Sequence, residues 1–366
     1  MAIFGYSRST VGLDIGTSNL KLVELVDRKK RLEVTTYAQA NQPNIIIDVP
    51  AGQADSAIQQ TARTISRMME QAQISSDAVV AALPSNAVFS TVLNLPNMPE
   101  EEMNKSVRFA AREVIPANLD DMVLGWSRVG ENPHMATPTQ ASPAPISAAA
   151  PSATNKLPIF VTAAPKEIIS RYTKVMDLLK LRLISLEVET FPLARSLLTE
   201  PSGSALITDL GDKVTTFHLI DHGAPRVSHS LDFGGSDITA AIAQSASISP
   251  IEAEQQKVQF GLSAETPPNI RDAIVSGLSQ IFSEAEKVLV AYNQEATAQA
   301  VNKIIVIGGG ANMRELTRFW SQEKNRPVVI GNPWQGLSYP DKLNHRLQTL
   351  GSQYAVAVGL ALRGLR

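Results

Sequence analysis

Asp14 is followed by Gly16, Thr17, Ser18 and Asn19, and then by Lys21. Gly16 lets the backbone approach a ligand closely, and Thr17, Ser18 and Asn19 bring hydroxyl, amide and backbone N–H donors to one point. Such a tip suits a phosphate. Asp14 would repel that phosphate unless a hard cation sat between them, so the combination predicts Mg²⁺ together with a nucleotide. Lys21 offers a further point charge. Standing alone, Asp-x-Gly-Thr also reads as an ordinary hairpin turn.

A second copy of the pattern changes that balance. Residues 204–221 lie over residues 10–27 with Asp209 on Asp14 and Gly211 on Gly16, again as apolar run, Asp-x-Gly turn and apolar run. Internal repetition is evidence of architecture that one motif cannot supply. Two such tips would grip phosphates from both sides, with Mg²⁺ near Asp14 and Asp209, held through water. A third piece is Lys303-Ile-Ile-Val-Ile followed by Gly308, Gly309 and Gly310 and then Asn312. Three glycines let a flat base or ribose lie on bare backbone beside a helix N-terminus.

Other chemistry-bearing residues are less organised. His134, His218, His222, His229 and His345 show no metal-ligand spacing and read as loop or solvated strand-end residues, and Trp126, Trp320 and Trp334 read as packing residues. Glu254 and Lys257, nearly one turn apart on a helix face, read by themselves as a solvated surface pair.

These residues need elements to hold them. Around the first tip, Leu20, Leu22 and Glu24 alternate with Lys21, Val23 and Leu25, which predicts a strand–turn–strand hairpin. A strand over 31–40 follows, then a helix over 54–73 with Ile58, Ala62, Ile65, Met69 and Ala72 on one face, and a buried strand over 79–83 stopped by Pro84. From Ser85 the texture changes. A strand over 88–95 precedes a helix opening at Pro99-Glu-Glu-Glu, with acidic residues at its positive end and Met103, Val107, Ala110, Ala111 and Val114 as its apolar stripe. Strands are expected over 122–129 and 157–164, separated by 131–156, a Pro-, Ala-, Ser- and Thr-rich stretch read as a disordered loop. Helices are expected over 166–180, 190–198, from Ser236-Asp237 to 246, from Pro250, over 267–294, over 312–323, and over 343–365. In the last of these, Tyr354, Val358 and Leu362 would pack back on the first lobe.

The chain has 366 residues, 44% hydrophobic, with a formal net charge of −2, which fits several domains and gives no global bias toward nucleic acid. Cysteine is absent, so neither disulfides nor thiolate metal sites can form, which permits a cytoplasmic setting. The opening Met-Ala-Ile-Phe-Gly-Tyr-Ser-Arg-Ser lacks the apolar core of a signal peptide, and no run approaches the roughly 20 apolar residues of a membrane span. Membrane association is expected only through a partner.

In order and spacing, the three motif pieces resemble the actin–Hsp70–sugar-kinase superfamily of nucleotide-binding proteins. Within it, the chain is most similar to the PilM family of type IV pilus assembly proteins. That likeness runs through Val11-Gly-Leu-Asp-Ile-Gly-Thr-Ser-Asn-Leu-Lys-Leu-Val-Glu-Leu, Phe233-Gly-Gly-Ser-Asp-Ile-Thr, Ile251-Glu-Ala-Glu-Gln-Gln-Lys-Val-Gln-Phe-Gly, Ile307-Gly-Gly-Gly-Ala-Asn-Met and Gln353-Tyr-Ala-Val-Ala-Val-Gly-Leu-Ala-Leu-Arg-Gly-Leu. The resemblance implies an α/β actin-like ATPase fold, two ribonuclease-H-like lobes around a nucleotide cleft. The first lobe would hold 1–84 and 342–366, an inserted α+β subdomain of the 1C type 85–187, the second lobe 188–235 and 301–341, and a helical subdomain 236–300.

The resemblance further implies ATP and Mg²⁺ as cofactors, with Gly234 and Gly235 joining the cleft residues and Glu254 and Lys257 lining its nucleoside side. The second tip departs from the family's usual small and hydroxyl residues. Lys213 could add a phosphate contact there, whereas Asp212 would repel a phosphate if it pointed inward. Binding is therefore expected more firmly than hydrolysis, for which no water-orienting residue is identifiable. The implied partner is the cytoplasmic N-terminal tail of a PilN-like inner-membrane protein, lying between the first lobe and the insertion. Met103, Val107 and Arg108 are its candidate wall, with Arg112 one turn beyond Arg108. The implied setting is the cytoplasmic face of the inner membrane, in twitching motility, with other assembly proteins as partners and self-association open. Two alternatives stand. One is an FtsA-like division filament protein, a family that usually ends in a basic amphipathic helix. The other is a sugar-kinase-like phosphotransferase, for which Asp120 and Asp121 are the candidate base.

Overall fold

The computed structural model describes residues 8–42, 46–47, 49–129, 156–198, 203–294 and 300–365. The repeat of the two Asp-x-Gly hairpins is realised as two five-stranded sheets of matching order. In the first, β1 (Arg8–Ile15), β2 (Asn19–Arg28) and β3 (Arg31–Asn41) run antiparallel, and β4 (Ala78–Leu83) joins β1 in parallel, following helix α1 (Ala54–Gln71).

A separate three-stranded sheet comes next, from β5 (Phe89–Pro96), β6 (Met122–Arg128) and β7 (Lys156–Pro165), with helix α2 (Glu100–Val114) on it. The chain then returns. Helix α3 (Lys166–Leu179) packs with α1 over the first sheet, and β8 (Arg182–Val188) completes it in the order β3-β2-β1-β4-β8. The expected insertion over 85–187 is thus divided by hydrogen bonding: residues 85–165 form their own sheet, whereas 166–188 belong with the first. The physical reason is the apolar face of α3, whose Tyr172, Val175 and Met176 are buried with Ile58 and Ile65 of α1. The expected loop over 131–156 falls outside the described residues up to position 155.

Helix α4 (Thr190–Leu197) leads into the second sheet, built from β9 (Ser204–Leu210), β10 (Thr215–Asp221) and β11 (Ala224–Leu231). Helices α5 (Gly235–Ala246), α6 (Pro250–Phe260) and α7 (Pro268–Asn293) intervene before β12 (Val301–Ile307), α8 (Leu316–Lys324) and β13 (Val328–Ile330). The order β11-β10-β9-β12-β13 repeats the first sheet strand for strand. The start of α5 is capped by Asp237, whose carboxylate accepts from Gly234 N–H at 2.8 Å, while Ser236 turns away to the second hairpin tip.

The closing segment is not the single helix expected over 343–365. Helix α9 (Asn344–Leu350) and helix α10 (Ala355–Gly364) are separated by a 3-10 turn over Gly351–Tyr354. At Gly351 a Cβ would lie 2.8 Å from Trp334 Nε1, so the indole passes close to the backbone at the break. Tyr354, Val358 and Leu362 do pack with Val23, Leu25 and Val34 of the first sheet, as expected. The first hairpin is therefore covered on both faces, since Leu20 and Leu22 join the core under α1 and α3.

Candidate nucleotide cleft

The two hairpins end at one place. Asp14 is the penultimate residue of β1 and Asp209 that of β9, and both line a cleft of about 820 Å³ between the sheets. Gly16, Thr17, Ser18, Asn19 and Lys21 line it from the first tip, and Gly211, Asp212 and Lys213 from the second. Gly235, Glu254, Lys257, Gly308, Gly309, Gly310 and Asn312 complete the predicted set, joined by Gln353 of the closing segment. Of the predicted cleft residues only Gly234 is not in the lining. It sits behind the second tip, where a Cβ would lie 2.4 Å from the Asp212 carbonyl oxygen. Its role is to let the start of α5 press on that tip.

Asp14 is buried, 4% exposed, and Lys21 donates to it at 3.3 Å. Gly308 has φ +84°, and a Cβ there would lie 2.3 Å from Asp209 Oδ1, so the glycine triplet passes directly beside the second carboxylate. Gly308 N–H donates to Ser352 carbonyl at 3.1 Å, tying the triplet to the closing segment. Asn312 Nδ2 donates to the Thr349 carbonyl at 3.2 Å. Lys257 is not a solvated surface residue: its Nζ donates to Gly235 carbonyl at 2.8 Å and Thr239 Oγ1 at 2.7 Å, and pairs with Glu254 at 2.7 Å. This network anchors α6 to the start of α5. Burial raises the Glu254 carboxyl, but its hydrogen bonds from Lys257 and Thr239 outweigh that and hold it below the usual carboxylate range.

Sequence reasoning missed Glu189. It lies at the start of α4, lines the cleft, and accepts from Ser85 N–H at 2.9 Å. Burial, then the charges of Asp14 and Asp209, push its carboxyl up to about 8. Asp209 is pushed to about 6, by burial first, with Lys21 opposing and Asp14 adding. An isolated Glu between a strand of mixed pattern and a short helix carries no motif, so only the fold brings it to the two aspartates.

Among the described residues no three His, Asp or Glu side chains form a metal cage by themselves. The donor set suits Mg²⁺ nonetheless, because that ion is commonly held by one or two carboxylates plus phosphate oxygens and water. The negative charge that raises the proton affinity of Asp209 and Glu189 would equally attract a cation.

Several expectations are corrected. Met103 and Val107 are 0% and 1% exposed, buried between α2 and its own sheet with Ile159 and Val161, so they cannot wall a groove. The stripe that makes α2 amphipathic serves its own sheet. Arg108 is exposed and donates to Asp120 at 2.8 Å. Neither Asp120 nor Asp121 lines the cleft, which leaves the phosphotransferase reading without its base. His218 is fully buried on β10, not at a solvated strand end, with Nδ1 3.0 Å from Thr190 Oγ1, and burial lowers it to about 3. His134 lies outside the described residues. No helix among the described residues is long and apolar enough to cross a membrane.

A family model described as type IV pilus assembly protein PilM matches residues 12–365. The solved PilM–PilN type IV pilus biogenesis complex contains a chain 26% identical to this one, covering 98% of each, with a TM-score of 0.80. The ethanolamine utilization protein EutJ from Carboxydothermus hydrogenoformans is 15% identical, covering 97% of this chain and 89% of that one, with a TM-score of 0.55. MreB5 of Spiroplasma citri bound to AMPPNP is 14% identical over 96% of this chain and 94% of that one, with a TM-score of 0.52. These likenesses show the actin-like ATPase fold expected from the repeated tips. With the family model spanning nearly the whole chain, this protein belongs to the PilM family of type IV pilus assembly proteins.

Proposed function

We propose that the chain is a nucleotide-binding scaffold of type IV pilus assembly that binds ATP with Mg²⁺ and engages the cytoplasmic N-terminal tail of a PilN-like membrane protein. The convergence of Asp14, Asp209 and the Gly308–Gly310 backbone on one cleft carries this reading. Asp14 and Asp209 hold the cation through water, the tips around Gly16 and Gly211 receive phosphates, and the triplet with Glu254 and Lys257 receives the nucleoside. Mg²⁺, when bound, neutralises phosphate charge between the two carboxylates. Glu189 at the cleft wall is the candidate for the group that hydrolysis lacked: once a bound cation offsets the neighbouring carboxylates and it ionises, it would orient a water and accept its proton. Calorimetry of ATP with and without Mg²⁺ tests the cleft; absence of Mg²⁺-dependent uptake would remove this reading.

The PilM–PilN complex supports the partner. We place the tail between the first sheet and the inserted unit of residues 85–165. The exposed side chains of α2 include Arg108, Phe109 and Arg112, and Phe109 is 68% exposed. Attachment of the protein to the inner face of the inner membrane follows from this contact alone. Titrating the tail peptide against the protein with and without ATP tests whether nucleotide regulates it, because a ligand shifts a two-state equilibrium only through differential affinity. Equal affinities would remove the regulation.

A further inference from the structure

The two hairpin tips touch each other across the cleft. Ser18 Oγ donates to Asp212 Oδ2 at 2.6 Å, joining residues 194 positions apart. Neither tip is loose. In the first, Gly16 N–H donates to Asn19 carbonyl at 3.0 Å and Gln42 N–H to Ser18 carbonyl at 3.1 Å. In the second, the Asp212 carbonyl accepts from both the N–H and the Oγ of Ser236 at 2.8 Å, and Gly235 N–H donates to Gly211 carbonyl at 2.9 Å. The backbone on each side is therefore set, and the side-chain bridge spans the gap between two fixed points.

A carboxylate oxygen that accepts from a hydroxyl in a donor-rich tip occupies the place an anionic phosphate oxygen would take. Asp212 also stands out chemically, as an exposed acid on a tip that faces an anion site. We propose that Asp212 is an intramolecular latch: its carboxylate holds the nucleotide-free cleft closed through Ser18, and nucleotide phosphates must displace it to bind. This rests on reading the cleft as a nucleotide site. Two consequences follow. Binding competes with a contact already made, so the apparent affinity falls by the fraction of molecules that are unlatched. Charge works in the same direction, because a carboxylate near the phosphates repels them until a cation intervenes. For one exposed, charge-assisted hydrogen bond the combined effect is roughly three- to tenfold in affinity.

The chain has no cysteine, so one pair can be introduced in the full-length protein at exposed positions on the two lobes, Arg67→Cys on α1 and Gln259→Cys on α6, and labelled for distance measurement. In this background Asp212→Ala is expected to lengthen and broaden the nucleotide-free distance and to tighten Mg²⁺–ATP binding about three- to tenfold. Asp212→Asn keeps an acceptor for Ser18 without the charge, so it keeps the short distance and gains less affinity. Ser18→Ala opens the empty cleft as Asp212→Ala does, but gains no affinity because the phosphates lose a donor. If Asp212→Ala leaves the nucleotide-free distance or the ATP affinity unchanged while the wild type binds Mg²⁺–ATP, the latch is overturned and the nucleotide site stands. If neither wild type nor any variant takes up Mg²⁺–ATP, the nucleotide site itself fails, and the displacement proposal fails with it.

Discussion

Glu189 carries its proton at a pH where an ordinary glutamate has lost it, and that difference has a measurable sign. Its carboxyl rises from 4.5 to about 8 on folding, through burial and the neighbouring Asp14 and Asp209. The stabilisation is fully present below the unfolded value of 4.5. It is lost as pH climbs through about 8, because the unfolded chain ionises first and folding must then take up a proton. Asp209 acts likewise over a lower window, from 3.8 to about 6. The nucleotide-free protein should therefore melt at lower temperature at pH 8 than at pH 5.5. Glu189→Gln should melt above wild type by a margin that grows over that interval to on the order of 1–2 kcal/mol; a margin independent of pH would exclude the raised carboxyl. Gly308 makes a second prediction at this scale. With φ +84° and Asp209 Oδ1 only 2.3 Å from an added Cβ, Gly308→Ala should destabilise by about 1–3 kcal/mol in urea denaturation. Gly309→Ala, where a Cβ meets nothing within 4 Å, should be nearly neutral for folding.

Between elements, Glu187 at the end of β8 holds α4 and α10 together. It pairs with Arg195 of α4 at 3.0 Å and Arg363 of α10 at 3.0 Å, and Arg195 also donates to the Gly359 carbonyl at 2.6 Å. All three side chains are nearly buried, with exposures of 10%, 1% and 11%. Removing the carboxylate that both guanidinium groups share breaks a nearly buried ion-pair network, so Glu187→Ala should cost about 3–5 kcal/mol, read from chemical denaturation. A cost below about 1 kcal/mol would mean that water reaches the site. None of this was legible in sequence, because Glu187, Arg195 and Arg363 share no local pattern. The hairpins, the glycine triplet, α1 and the amphipathic α2 were legible, because each is set by short-range periodicity or turn chemistry. What α2 buries its stripe against was not, so Met103 and Val107 passed for a partner surface. The end of the inserted unit was lost for a related reason: β8 has a mixed pattern of exposure, and only its pairing with β4 assigns it. Glu189 was missed because its neighbours in space come from three distant segments.

Across the whole molecule, the two five-stranded sheets are not separate folding units. One hydrophobic cluster takes Val80 and Ala82 from the first sheet and Ala205, Ile207, Ile305 and Ile307 from the second, with Leu193 and Ala194 of α4 and Val356 and Leu360 of α10 between them. Close approach of the layers depends on small residues: a Cβ at Gly12 would lie 1.9 Å from the Ala357 carbonyl oxygen, and one at Gly359 would lie 2.0 Å from that of Pro192. Shared apolar burial couples the unfolding of both sheets, since neither can unfold without exposing part of the other's core. The three-stranded sheet is built differently. Its two small clusters, around Met103 with Ile159 and around Ala111 with Ala163, are its own. Regions with few buried apolar contacts of their own open at lower free energy than the global value. Hydrogen exchange under native conditions should therefore give β4, β9, β12 and α10 one common, highest opening free energy, and β5, β6 and β7 a lower one. Saturating Mg²⁺–ATP should raise the first set by RT ln(1 + [L]/Kd), about 2.7 kcal/mol at a hundredfold excess over Kd, because the ligand binds only when both tips are in place. The inserted sheet should rise far less, as it contributes no strand to the cleft. A result in which the two five-stranded sheets exchange at clearly different free energies would show that the shared core does not couple them, and that the lobes unfold independently.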